Sequence, residues 1–382
     1  MTVETDGEYD ELTDAFFENL AYDEDETRRL VRSGVETASE IDRRYEREYK
    51  SGDADTRRDC AALSAFGFID SYLRNADEPG YFPVAGVRRG EGDDRVAARA
   101  ELYTCLPDEV TASLFDSVHA SVLMSATLRP FDVLSRVLGL NDPVELAYGT
   151  HFPEERRETF VADLPALFSS ERDDPGVTQE VTTFLEDVID HSAGNALVFF
   201  PSFGEAERYH GLLDVDAELV LDRVGESARS VRRSLEEDGK RAVLTYLWGT
   251  LTEGVDFPDD VARTAVVVGV GYPYLSDRKR AVESAYEEEF GDGWKYAVEA
   301  PTVRKTRQAL GRVVRSPDDY GVRILADARY RDDTDMGSYG VRDAFPQNER
   351  DEFVDVDADK IKYAMHNFWR RVGDDTVSLD VD

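Results

Sequence analysis

Apolar residues follow two different periodicities along the chain, and the change between them divides it. In residues 1–75 they recur every three or four positions, in the sets Leu12–Leu20, Leu30–Ile41 and Leu63–Leu73, which predicts amphipathic helices. From about residue 178, short and continuous apolar runs alternate with helical segments. Such runs are typical of parallel strands that are covered on both faces, so this part predicts a doubly wound α/β sheet.

The individual elements can be placed from these runs and from turn and capping residues. The predicted strands are Tyr81–Val87, Ala98–Tyr103, a buried strand Ala120–Met124, Asn195–Phe200, Leu219–Leu221, Arg241–Leu247, Thr264–Gly269 and Val322–Ala326. The predicted helices are Pro107–Ser117, Val133–Leu140, Val181–Ile189, one that begins at Ser202 with capping-box spacing to Glu205, Ala228–Glu237, Arg278–Phe290 and Pro301–Arg315.

Ligands of such sheets bind beyond the carboxyl ends of the strands, and polar segments are expected there. One of them is the loop Trp248–Phe257, in which Trp248 can stack on a base and the Thr250 and Thr252 hydroxyls can bind phosphate. Gly254 permits close backbone approach, and Asp256 can position a ribose or an attacking water. The alternative is a tight connection whose tryptophan simply packs.

A second candidate site is the predicted helix Pro301–Arg315. If it is continuous, Gln308, Arg312 and Arg315 lie at i, i+4 and i+7 on one face, and Gly311 leaves room for a close neighbour. Two guanidinium groups and an amide on one face are well suited to phosphate oxygens. The alternative is an amphipathic helix whose arginines are solvated or paired with acidic residues.

Composition limits the setting in which the chain works. Of 382 residues, 81 are acidic and 45 basic, a net charge of −36, and only seven of the basic residues are Lys. This balance is typical of halophilic proteins, because screening by molar salt suppresses self-repulsion. An acidic disordered chain is the alternative, but a hydrophobic content of 41% favours a folded protein.

Cysteine usage and hydropathy add three expectations. Cys60 and Cys105 are far apart and lack metal-ligand spacing, which indicates a reducing compartment and excludes a four-cysteine iron–sulfur cluster within this chain. No apolar run approaches a membrane span, and the acidic N-terminus does not resemble a signal peptide. We therefore expect a cytoplasmic protein without membrane contact, and a monomer.

Four short segments, in order, resemble motifs of the XPD/DinG family of DNA helicases. The last, QALGRVVRSPDDYGVRILADARY from Gln308, matches Q-x-x-G-R-x-x-R followed by D-x-G and a strand. The others are VLMSATLRP from Val122, similar to the motif that couples two RecA-like domains, LVFFPSF from Leu197 and EGVDFP from Glu253. The loop at His151 is also similar to the family's crossing into its second domain, and the resemblance covers about residues 98–330.

The resemblance implies a RecA-like fold, ATP and Mg²⁺ as cofactors, single-stranded DNA as partner and a role in DNA repair. It makes Arg315 the arginine finger, with Arg312 beside it and Gln308 sensing the nucleotide. The residues expected at ATP are Gly254, Asp256, Gln308, Arg312 and Arg315. The residues expected on DNA are Ser125, Thr127, Ser202, Phe203, Trp248, Thr250 and Thr252.

The same resemblance divides the chain into four regions. Residues 1–97 correspond to a helical Arch-like region with a short β segment, and 98–150 to the last segment of the first RecA-like domain. Residues 151–330 correspond to the whole second RecA-like domain, and 331–382 are an acidic tail with a short helix.

Two motifs that such helicases need do not occur in the sequence, namely a G-x-G-K-[ST] phosphate loop and a D-E-A-H segment. Gly239-Lys240 is followed by Arg241 and cannot serve as the loop. We therefore expect the C-terminal portion of a helicase, which hydrolyses ATP only with a complementary N-terminal half. One alternative is a non-catalytic module that binds single-stranded DNA or a helicase-like partner. An independent nuclease is less favoured, because no carboxylate cluster of metal-binding spacing is attached to the motifs.

Overall fold

The structure is a computed structural model, and it describes residues 9–12, 24–76, 78, 80–89, 96–125, 127–148, 152–168, 170–223, 228–253, 261–332, 339–374 and 376–377. The strands are β1 Tyr9–Glu11, β2 Tyr81–Arg89, β3 Val96–Thr104, β4 Arg157–Asp163, β5 Ala196–Phe200, β6 Glu218–Leu221, β7 Arg241–Tyr246, β8 Thr264–Val268, β9 Gly321–Ala326 and β10 Phe353–Asp357. The helices are α1 Glu24–Ser51, α2 Ala61–Asn75, α3 Asp108–Asp116, α4 Phe131–Val137, α5 Pro175–Asp190, α6 Phe203–His210, α7 Ala228–Leu235, α8 Thr250–Glu253, α9 Asp277–Phe290, α10 Ala300–Leu310, α11 Gln347–Arg350 and α12 Ile361–Val372.

The chain forms two compact units. The first contains Met1–Glu145 together with Tyr274–Ala297, and the second contains Leu146–Pro273 together with Val298–Asp382. A π-helix at Lys295–Glu299 carries the chain from α9 to α10. None of the helices in the described part of the chain is both long enough and apolar enough to cross a membrane.

The first unit is built around an antiparallel sheet in the order β1-β2-β3 and the paired helices α1 and α2. These helices approach closely at Gly34, where an added Cβ would lie 2.6 Å from the Phe66 ring. Helix α9 belongs to this unit, although its sequence is inserted between strands of the second one. Its Arg278 binds the Glu101 carboxylate at 3.1 Å and lies 4.5 Å from the centre of the Tyr103 ring.

Two expectations for the first unit need correction. The predicted buried strand Ala120–Met124 is wrong, since this segment forms no strand and Val122 and Met124 are 78% and 85% exposed. An apolar run becomes a strand only where another strand pairs with it, and no described residue of the unit does so. In the predicted helix Leu12–Leu20, Leu12 follows β1 and packs with Tyr72, and the remainder lies outside the described residues.

The second unit is a parallel sheet of seven strands in the order β10-β4-β9-β8-β5-β7-β6. The RecA-like α/β fold expected from the sequence is confirmed, as are the strands β5 to β9. Every residue of β5 and β8 is buried, because helices cover the sheet on both sides. Apolar side chains of α5 and α12 form one core layer, and those of α7 and α10 form the other.

Candidate functional site

The loops that follow the central strands of the second unit are tied together at the carboxyl edge of its sheet. Leu247, just after β7, donates its backbone N–H to the Phe200 carbonyl of β5 at 2.9 Å. The Trp248 indole donates to the Gly271 carbonyl, beyond β8, at 2.8 Å. Gly269 donates to the Ala326 carbonyl of β9 at 3.1 Å. The loops after β5, β7, β8 and β9 therefore meet at one edge, where doubly wound sheets bind ligands.

Ser202 and Phe203 begin helix α6 at this edge. The Ser202 hydroxyl accepts the backbone N–H of Glu205 at 3.2 Å, so the predicted capping interaction is present. The centre of the half-buried Phe203 ring lies 5.1 Å from the centre of the Tyr246 ring, and the two ring planes are tilted by 49°. The capping bond uses the Ser202 hydroxyl as an acceptor only, and Phe203 belongs to a pair of aromatic rings.

The segment 247–253, here called the tryptophan loop, contains α8. The ammonium nitrogen of Lys305 lies 5.4 Å from the centre of the half-buried Trp248 ring, which is a cation–π arrangement. Thr250 is exposed. Thr252 is fully buried, and its hydroxyl donates to the Leu247 carbonyl at 2.7 Å, so this hydroxyl supports the loop and does not face a ligand.

Several other residues predicted for the site do not lie at this edge or cannot be located. Gly254 and Asp256, like His151, lie outside the described residues. Ser125 and Thr127 belong to the first unit, where their hydroxyl oxygens are 3.2 Å apart and the Ser125 oxygen accepts the Thr127 backbone N–H.

Helix α10 ends at Leu310, and the predicted continuation to Arg315 is wrong. Gly311 donates its backbone N–H to the Arg307 carbonyl and ends the helix. The Asp319 carboxylate then accepts the backbone N–H of Arg315 at 2.8 Å, which replaces the acceptor that a helix would have supplied. Glycine has poor helix propensity and Pro317 cannot continue a helix, so the chain leaves the helical path here.

As a consequence, the predicted phosphate-binding residues do not share one helix face. Gln308 is in the last turn of α10, and its side-chain oxygen is buried and has no hydrogen-bond partner among the described residues. Arg312 is half-buried, and its Nη2 donates to the backbone carbonyl of Thr252. Arg315 is exposed at the surface beyond the helix. The two arginines therefore have different surroundings.

The segment 301–317 carries an unusual charge for this chain. It contains five basic residues and no acidic one, whereas 81 of the 382 residues overall are acidic. Arg307 is paired with the Glu349 carboxylate at 2.9 Å, which neutralises one of these charges. The segment is therefore locally basic within an acidic chain.

Sequence analysis missed two polar features of the edge. Asp222, directly after β6, is 3% exposed and accepts the Thr245 hydroxyl at 2.7 Å. Asp327, directly after β9, is fully buried and pairs with Arg329. Their position immediately after a predicted strand is the sequence feature that could have identified them. In the part of the chain that the structure describes, no group of three or more His, Cys, Asp or Glu side chains could hold a metal ion.

A family model described as a helicase C-terminal domain matches residues 185–340. These residues are a helicase C-terminal domain. Among curated proteins, the chain is 25% identical over 250 residues to the general transcription and DNA repair factor IIH helicase subunit XPD/RAD3 of Saccharomyces cerevisiae, which covers 60% of this chain and 32% of that protein. It is also 25% identical over 268 residues to the Fanconi anemia group J protein homolog of Gallus gallus, covering 60% and 21%.

Solved structures show the same fold. An XPD helicase structure superposes with a TM-score of 0.56 and 15% identity, covering 92% of this chain and 58% of that one. Xpd4 of S. tokodaii superposes with a TM-score of 0.52 and 17% identity, covering 81% and 56%. The resemblance to XPD-type helicases is confirmed, while the chain spans about a third of the length of the first curated relatives that it matches.

Proposed function

We propose that the second unit is the second RecA-like domain of an ATP-dependent DNA helicase that moves along single-stranded DNA. One observation carries the proposal. The start of α6 and the tryptophan loop lie together at the carboxyl edge of the sheet, and Arg312 connects this loop to the segment beyond α10. Aromatic rings can stack on bases, and guanidinium groups can bind phosphates.

On the nucleotide side, the exposed Arg315 is proposed as the finger that neutralises charge on the transferring phosphoryl group. Gln308, whose side-chain oxygen is buried and has no hydrogen-bond partner among the described residues, is proposed to sense the nucleotide. Gly254 and Asp256 are proposed to contact ATP. The sequence contains neither a G-x-G-K-[ST] nor a D-E-A-H segment, so a complementary half is proposed to hold the triphosphate and Mg²⁺.

On the DNA side, Trp248 and Phe203 are proposed to stack on bases, and Thr250 and Ser202 to bind the backbone. Ser125 and Thr127 are proposed to couple the nucleotide to the DNA from the first unit. Stacking contributes about 1–3 kcal/mol per base, and it depends less on salt than phosphate contacts do. DNA binding through aromatic rings therefore suits a chain with a net charge of −36 that is proposed to work in molar salt.

ATPase measurements in molar KCl test the nucleotide part. The chain alone should show no DNA-stimulated hydrolysis, and addition of a polypeptide with the phosphate-loop and D-E-A-H segments should restore it. In the restored enzyme, Arg315→Lys keeps the charge but loses the two-pronged donor, so kcat should fall by on the order of 10³. Turnover by the chain alone that disappears in Arg315→Ala would overturn the requirement for a second half.

The second candidate is a non-catalytic module that binds single-stranded DNA. The paired rings of Phe203 and Tyr246, which could stack on bases without any nucleotide, favour it. It predicts DNA binding without any ATPase, whichever half is added. Fluorescence titration with an oligothymidylate of about 20 nucleotides tests the feature that both candidates share, since Trp248→Ala should weaken binding in either case.

A further inference from the structure

The tryptophan loop depends on groups outside itself for its conformation. Its helix α8 has only four residues, Thr250–Glu253. A single helical turn is not stable on its own, because nucleation fixes several residues for very few hydrogen bonds. The carbonyl groups of such a turn have no partners within the helix and need donors from elsewhere.

Three side-chain hydrogen bonds hold the loop, two of them to groups outside it. The Trp248 indole donates to the Gly271 carbonyl at 2.8 Å, at the start of the loop. Within the loop, the Thr252 hydroxyl donates to the Leu247 carbonyl at 2.7 Å. The third donor comes from the basic segment beyond α10, because Arg312 Nη2 donates to the Thr252 carbonyl.

The Arg312 contact is an electrostatically favourable cap. The C-terminal end of a helical turn carries partial negative charge, and an arginine there both bonds a carbonyl and stabilises that charge. Thr252 is fully buried and Arg312 is half-buried, so water screens this contact less than it would at the surface. The capped carbonyl lies two residues before Gly254, which is one of the residues proposed at ATP.

We propose that Arg312 is a positioning residue that fixes the tryptophan loop to the segment beyond α10. This proposal rests on the proposed function, in which the loop contacts DNA and Arg315 contacts ATP. The contact uses Nη2 alone, so it holds the loop whatever the other N–H groups of the guanidinium bind. If DNA displaces the loop, the Arg312 contact therefore transmits this movement to the segment that carries Arg315.

The chain offers a matched control for the test. Arg156 in the same unit also donates to a backbone carbonyl, that of Asp318, at 2.6 Å, but it lies away from the tryptophan loop. Arg312→Met removes every donor while keeping an unbranched apolar stem, and Arg156→Met does the same at the control position. Arg312→Lys retains one charged donor group and serves as the conservative variant.

Hydrogen–deuterium exchange of the ligand-free protein gives a readout that does not need DNA or ATP. In Arg312→Met, amides of residues 248–253 should exchange about tenfold faster, the effect of losing one charge-assisted hydrogen bond. Arg312→Lys should show a smaller increase, and Arg156→Met none in this segment. Equal exchange in Arg312→Met and the unaltered protein would overturn the proposal. If Arg312→Met fails to fold by circular dichroism, the Lys variant decides in the same way.

Binding of a fluorescein-labelled oligothymidylate of about 20 nucleotides then separates the two proposals. Arg312→Met should bind about tenfold more weakly than the unaltered protein, and Arg156→Met equally well. If the unaltered protein does not bind the oligonucleotide, the proposed DNA function fails while the exchange result still decides the role of Arg312. If Arg312→Met binds as well as the unaltered protein, the loop is not held by Arg312 for DNA binding.

Discussion

Asp327 and Arg329 form a buried ion pair directly after β9, and it provides a quantitative test of the fold. Both residues are almost fully buried, at 0% and 2% exposure. Arg329 Nε and Nη2 bind the two carboxylate oxygens at 2.8 and 2.7 Å. The same oxygens accept the backbone N–H groups of Arg329 and Leu167 at 2.9 and 3.0 Å. The carboxylate therefore has four donors, and it ties β9 to the segment that follows β4.

The expected cost of breaking this pair follows from what each substitution leaves behind. Asp327→Asn leaves the Arg329 guanidinium buried without its counter-charge, and Arg329→Met leaves the carboxylate with only its two backbone donors. Removing one partner of a buried pair costs about 3–5 kcal/mol, because the remaining charge is uncompensated. The double variant leaves no buried charge, so its loss of stability should be well below the sum of the two single losses.

Urea unfolding in molar KCl measures these free energies at constant ionic strength, followed by the fluorescence of the buried Trp369 in the same unit. The matched control is the pair formed by Arg350 and Asp343, in which Asp343 is 93% exposed. Asp343→Asn should cost less than about 1 kcal/mol. A loss below 1 kcal/mol for Asp327→Asn, or strictly additive single losses, would refute the argument from burial.

Two further predictions concern the same unit. In Gly271→Ala the new Cβ would lie 2.7 Å from the Cδ2 atom of the buried Leu247, and the overpacking should lower the free energy of unfolding by about 1–3 kcal/mol in urea titrations. Burial alone would raise the pKa of Asp374, but hydrogen bonds from Thr376 and the charge of Arg263 outweigh it and lower that pKa. The stability that this carboxylate contributes is therefore complete above the ordinary Asp pKa of about 3.9 and is lost as the pH falls below it. The free energy of unfolding, measured between about pH 5 and pH 2, should therefore fall less steeply with decreasing pH in Asp374→Asn than in the unaltered protein.

The sequence predicted strands β5 to β9, but it missed β4 and β10, for a physical reason. Strands β5 and β8 are covered on both faces, so they consist of continuous apolar residues that stand out in the sequence. Strand β4 begins with the charged residues Arg157 and Glu158, and β10 alternates apolar with acidic residues at the end of the sheet. Such residues do not distinguish a strand from an acidic loop. Conversely, the apolar run at Val122 looked like a strand but has no partner strand among the described residues.

The local geometry of the candidate site was not predicted from the sequence. The carboxyl edge follows from the alternation of strands and helices, and the capping role of Ser202 follows from its spacing to Glu205. The end of α10 was misread, because Gly311 was interpreted as room for a neighbour when it terminates the helix. The contact between Arg312 and Thr252 joins residues 60 positions apart, and no local pattern predicts it.

The insertion of α9 affects how the protein responds to a break in its chain. Residues Tyr274–Ala297 leave the second unit and pack within the first, so three separate peptide connections run between the units. A protease cut near residue 145 removes only one of them. The fragment that ends there would still be held by α9, through contacts such as that between Arg278 and Glu101. A nicked protein should therefore run as two bands on a denaturing gel while eluting as a single species in gel filtration.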